Sequence, residues 1–130
     1  MNKLGLLLGT LSILLVTPLA ASAAKLSLTG RVELTSALSP VGDARVTVTF
    51  HGHEVGIHEY TTTRTVRART DEFGNFIAET KVSNRRYTWT HATVEIGETE
   101  ISKKTQTQSI CQTDPTGGCQ SEKDFQVRPL

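Results

Sequence analysis

Aromatic residues are scarce in this chain, making up 5% of 130 residues with a single Trp. An interior built on stacked rings is thereby excluded, and small and β-branched side chains must fill it. An excess of either charge is also missing: 14 Lys and Arg face 13 Asp and Glu. One of the cations, Lys3, belongs to the leader described below, so the remainder is neutral and exerts no general pull on nucleic acid or an acidic membrane. The cysteines number two, Cys111 and Cys119, without C-x-x-C spacing and with no His nearby in the chain. That spacing argues against a redox or metal dithiol. After Ala24 there is no sustained helical periodicity, no linker and no internal repeat. Long helices and a second domain are therefore not expected.

What is present first is a leader. Met1-Asn2-Lys3 is a short positive segment, Leu4 to Val16 is mostly apolar, and Ala21-Ser22-Ala23 supplies small residues ahead of Ala24. This is the pattern of a cleaved secretory signal, and the apolar run is short for a membrane span. The expected division is a signal peptide over 1–23 and one domain over 24–130, in a secreted or periplasmic protein with no membrane span after cleavage. An oxidising compartment and an even count favour a Cys111–Cys119 disulfide, with turn-rich Gln112 to Gly118 closing the loop.

The domain alternates. Leu26, Leu28, Val32 and Leu34 share one parity, as do Val46, Val48 and Phe50, then Val66 and Ala68, then Phe76, Ala78 and Val82. Each set predicts a half-buried strand. The glycines of His51-Gly52-His53-Glu54-Val55-Gly56 break the alternation and predict a strand end and an irregular loop, followed by a short strand from about Ile57. Within Tyr87 to Ile96 the apolar parity changes from odd at Tyr87 and Trp89 to even at Ala92, Val94 and Ile96. That change predicts a bulge, or a strand passing between sheets. Thr99 to Ile110 is polar and reads as an edge strand, which Lys103-Lys104 would protect. It is a candidate for pairing with a partner's strand. Between two strands, Thr70-Asp71-Glu72-Phe73-Gly74-Asn75-Phe76 carries turn chemistry and predicts a β-hairpin.

Thr29-Gly30-Arg31-Val32, Pro40-Val41-Gly42-Asp43-Ala44-Arg45-Val46, Thr70-Asp71-Glu72-Phe73-Gly74-Asn75-Phe76 and Arg86-Tyr87-Thr88-Trp89 occur in that order. The set resembles the carboxypeptidase regulatory-like domains, over about Leu26 to Trp89. The resemblance implies an all-β fold: a single Ig-like or transthyretin-like antiparallel β-sandwich of about seven strands. It also implies a non-catalytic accessory module, because the matched residues build turns and core rather than chemistry. Related adhesin domains join a first-strand Lys to a last-strand Asp or Asn. Lys25 and Asp124 stand in such places, but His91 replaces the Glu that promotes the bond, so no cross-link is expected. Hydrolases of the transthyretin-like fold carry a characteristic C-terminal tetrapeptide, which Gln126 to Leu130 does not resemble.

Three sets of residues carry candidate chemistry. His51 and His53 fall on one strand face, and with His58 they would suit Zn or Cu(II); the other reading is three exposed polar residues in a loop. Arg64, Arg67, Arg69, Arg85 and Arg86 would bind carboxylate, sulfate or phosphate, or else form a solvated face paired with Glu79, Glu95, Glu98 and Glu100. Trp89 with Tyr87 would stack on a sugar ring if exposed, and otherwise belongs to the core. No nucleophile elbow or pair of carboxylates in an apolar setting appears. The expected function is non-catalytic, either recognition of a protein or glycan at the cell envelope or a structural role. The alternative is metal binding by the three histidines.

Overall fold

A computed structural model describes residues 23–54, 60–82 and 87–130. Residues 1–22 of the expected signal peptide over 1–23, His58, Arg85 and Arg86 lie outside the described residues. Seven strands follow in order: β1 (Ala24–Leu34), β2 (Arg45–Glu54), β3 (Thr61–Arg69), β4 (Asn75–Val82), β5 (Tyr87–Ile96), β6 (Thr105–Ile110) and β7 (Cys119–Val127). They form a three-stranded sheet, β4-β1-β7, and a four-stranded sheet, β3-β2-β5-β6. No helix occurs among the described residues, so the all-β sandwich of about seven strands is the fold. For the same residues, no helix is long and apolar enough to cross a membrane.

Alternation places the core as the sequence predicts. Leu26, Leu28 and Val32 of β1 meet Val46, Val48 and Phe50 of β2 and Ala92, Val94 and Ile96 of β5 in one buried cluster. Phe76 and Phe125 lie in the same core with ring centroids 5.8 Å apart. Removing these aliphatic faces from water is the main favourable term in folding.

Four features depart from expectation. Strand pairing is antiparallel except for β1 with β7, which run parallel from Leu26↔Cys119 to Leu34↔Val127. β2 does not stop at Gly52 but continues to Glu54, and β3 is one strand from Thr61. The expected edge strand is shorter and starts at Thr105, though β6 does lie at the edge of its sheet. Last, the turn between β3 and β4 is not a hairpin, because its two strands belong to different sheets.

The residues of that turn show why. The Thr70 hydroxyl donates to Val41 O at 2.7 Å and accepts from the Ala44 amide at 2.8 Å. Asp71 Oδ1 accepts from the amides of Phe73 and Asn75 at 2.8 and 2.9 Å. Gly74 has φ +81°, a left-handed conformation suited to glycine. Its carbonyl accepts from the Val32 amide at 2.8 Å. The turn is thus closed on itself through Asp71 and fastened to Val32 of β1 and to the β1–β2 connection, and the chain crosses from one sheet to the other.

The Cys111–Cys119 disulfide is present, with Cα atoms 4.9 Å apart. It joins the end of β6 to the start of β7 and so ties the two sheets together. Ser109 and Ser121 hydroxyls hydrogen-bond beside it. Asp114 organises the loop: Oδ1 accepts from the Thr116 hydroxyl at 2.6 Å, the Thr116 amide at 3.0 Å and the Gly118 amide at 2.9 Å. Burial alone would raise its pKa, but these hydrogen bonds and the Lys25 charge hold the carboxyl below its ordinary value.

Candidate functional site

The outer face of the four-stranded sheet gathers His51, His53, Arg67 and Arg69 from the candidate residues. The register sets them in rows running from β6 across β5 and β2 to β3. One row is Ile110, His91, His51 and Thr63; the next is Gln108, Thr93, Thr49 and Thr65; the third is Gln106, Glu95, Thr47 and Arg67. Beyond them Arg45 stands opposite Arg69.

At this last end the sheet forms a hollow of about 680 Å³ whose lining includes Arg45, Arg67, Arg69, Lys104 and Glu95. Four cations thus share it with one carboxylate. Lys104 is paired with Glu95 at 3.0 Å, and Arg69 with Asp43 at 3.0 Å. Among the described residues Arg45 and Arg67 have no ion-pair partner, and Glu79 is taken by Lys25 at 3.0 Å. Like charges directly opposite on a ladder are unfavourable; Asp43 offsets Arg69, and Arg45 is left to solvent or a ligand. A second, adjoining hollow of about 770 Å³ lies between the Gly42–Asp43 and Gly97–Ile101 connections and mixes Arg45 and Arg69 with Glu98 and Glu100.

Of the predicted arginines, the structure brings Arg67 and Arg69 together. Arg45 and Lys104 complete the cluster, and sequence reasoning missed them as ligand residues. Their parity was visible, but which strands lie beside β2 and β5 was not. Arg64 falls on the opposite parity of β3, facing Phe50 across the ladder.

Trp89 is not an exposed platform, because it is 4% exposed. It lies opposite Gly52, where an added Cβ would come within 3.0 Å of its ring carbons. Gly52 is therefore the seat for the indole. Tyr87 packs beside it at 6.1 Å between centroids. The Lys25–Asp124 pairing is also excluded by register, since Asp124 stands opposite Arg31.

Of the two readings of the parity change, a bulge or a strand passing between sheets, the bulge is the one present. His51 pairs with His91 but Gly52 pairs with Trp89, which leaves Thr90 as the extra residue. The bulge lets Trp89 face the core and His91 face outward. The His51 and His91 rings stack with centroids 4.4 Å apart and planes 7° from parallel. His51 Nε2 shares a hydrogen bond with Thr93 Oγ1 at 2.9 Å, and His91 Nδ1 with Thr90 Oγ1 at 2.9 Å. The ring that stacks on His51 is thus that of His91, which sequence reasoning left out of the histidine set; His58 lies outside the described residues. His53 occupies the next row of β2, opposite Thr61 and Thr88. Among the described residues no three His, Cys, Asp or Glu side chains converge as a metal cluster.

Burial lowers the pKa of His51 from its ordinary 6.5, and the charge of His91 lowers it further. Among the described residues, the surrounding rows offer Thr49, Thr63, Thr65, Thr88, Thr93, Gln108 and Ile110, with no carboxylate to welcome the proton. The folded protein therefore binds this proton less readily than the unfolded chain. Its contribution to stability is fully present above the unfolded value and is lost as pH falls from there through the lower folded value. The expected result is a urea midpoint that falls between about pH 7.5 and about pH 5.5, with a smaller fall in His51→Gln. Equal falls in both proteins would assign the effect to other groups.

No family model matches the sequence, and no curated protein matches it. Among solved structures, the chain is similar to a 9R-lipoxygenase from Cyanothece PCC8801 at 12% identity and a TM-score of 0.42, over 98% of this chain. It spans 19% of that chain.

Proposed function

We propose that this is an exported, non-catalytic β-sandwich module that binds an acidic polysaccharide of the cell envelope through the Arg45–Arg67–Arg69–Lys104 hollow. The observation that carries the reading is the concentration of four cations around one carboxylate on a chain that is otherwise charge-balanced. Guanidinium groups bind carboxylate or sulfate in forked fashion, and Arg45 and Arg67 have no acidic partner among the described residues. The adjoining rows of Thr and Gln offer hydroxyls and amides to sugar hydroxyls. The leader pattern supports export, and so does the disulfide. The similarity of the turn motifs to carboxypeptidase regulatory-like domains supports an accessory role.

The test is calorimetric titration with a uronic-acid polymer and with its neutral counterpart at two salt concentrations. Binding of the acidic polymer, weakened by salt, is expected. In Arg45→Ala/Arg67→Ala it should weaken by about tenfold or more, since each charged hydrogen bond contributes roughly 1.5–3 kcal/mol. Equal affinity for the neutral polymer, or an unchanged double variant, overturns the reading. Failure to bind any polysaccharide, with binding of an acidic protein instead, would move the same hollow to a protein partner.

A further inference from the structure

The His51–His91 pair is independent of the basic hollow and has chemistry of its own. We propose that these two histidines form a binding site for a divalent transition-metal ion, Cu(II) ahead of Zn(II), on the outer face of the four-stranded sheet.

The first support is the bulge at Thr90. Trp89 and His91 share a parity, so in a regular strand an inward Trp89 would bring His91 inward as well. The extra residue turns His91 to the side of His51. Bulges of this kind re-aim side chains at sites of function. The second support is the hydrogen bonding. Each ring uses one nitrogen toward a threonine hydroxyl, His51 Nε2 to Thr93 and His91 Nδ1 to Thr90. Such contacts fix the orientation of ligating imidazoles, and they leave His51 Nδ1 and His91 Nε2 for an ion. The third is proximity. The ring centroids, 4.4 Å apart, stand at the spacing of two imidazoles bound side by side on one ion at ~2.0 Å, and binding would turn both rings out of their parallel stack so that their in-plane lone pairs meet at it.

Two imidazoles with water completing the shell suit a tetragonal ion, and affinities for nitrogen donors peak at Cu(II). His53 lies one row away on the same face and is not required.

The test titrates the purified protein with Cu(II) and with Zn(II) by calorimetry and follows the Cu(II) complex by electron paramagnetic resonance. The variants are His51→Gln, His91→Gln, His53→Gln and His58→Gln, each checked for a wild-type melting transition. One Cu(II) per chain is expected, with couplings from two imidazole nitrogens and weaker binding of Zn(II). Loss of either His51 or His91 should weaken Cu(II) by about tenfold or more, and loss of His53 or His58 by less than about twofold. Wild-type affinity in His91→Gln overturns the proposal. If His53→Gln and His58→Gln lose the ion while His91→Gln keeps it, the site lies in the loop histidines. Neither result bears on polysaccharide binding at the arginines.

Discussion

Phe50→Ala is expected to destabilise the protein by about 3–5 kcal/mol, the usual cost of deleting a buried phenyl ring. Phe50 is fully buried, on a strand flanked by β3 and β5, and belongs to the central cluster of both sheets. Alanine would leave a cavity lined by side chains that are themselves held by the ladder, so little collapse can fill it. For a domain of this size the midpoint of thermal unfolding should fall by roughly 15–30 °C. Phe73→Ala is the control. That ring sits in the β3–β4 turn at 61% exposure, and its loss should stay within about 0.5 kcal/mol. Thermal and urea unfolding followed by circular dichroism would measure both. A cost below about 1 kcal/mol for Phe50→Ala would mean that the two sheets do not close over it.

A comparably large effect is expected at a residue with no side chain. A Cβ built on Gly118 would stand 1.9 Å from the carbonyl oxygen of Lys25 and 2.7 Å from its carbon. Both are backbone atoms of β1, and neither can swing aside. Gly118→Ala must therefore push β7 away from β1 at the start of their parallel ladder, and the disulfide at Cys119 would be displaced with it. A loss of about 3 kcal/mol or more is expected. The adjacent Gly117 isolates the cause. It has φ +86° but nothing within 4 Å of an added Cβ, so Gly117→Ala should cost only the left-handed penalty of about 1–2 kcal/mol. Urea unfolding with the disulfide intact would compare them. Equal costs would show that backbone conformation, and not the approach of β1, makes Gly118 special.

The two glycines look alike in the sequence, as neighbours in one turn-rich loop. What separates them is the arrival of Lys25 from the other end of the domain. The same division runs through the candidate site. The outward parity of Arg67 and Arg69 is legible because alternation is a local property. The opposition of Arg45 to Arg69 depends on which strand lies alongside. The grouping of His51 with His53 is legible because they are two apart, whereas the stacking of His91 on His51 depends on which strand lies beside β2. The parity change near Trp89 announced the bulge, yet gave no hint that Gly52 would receive the indole.

By itself the sequence determined the class of fold, the inward-facing residues, the irregularity near Trp89 and the pair of cysteines fit to join. All of these rest on period-2 alternation, turn chemistry or short loop closure, which act over a few residues. The tertiary structure alone decided that β3 and β4 part into different sheets, that β7 lies parallel to β1, that Arg45 completes the basic hollow and that His91 stacks on His51. Those outcomes depend on which distant strands share a ladder, and a ladder is selected by the joint burial of both faces and not by any one segment.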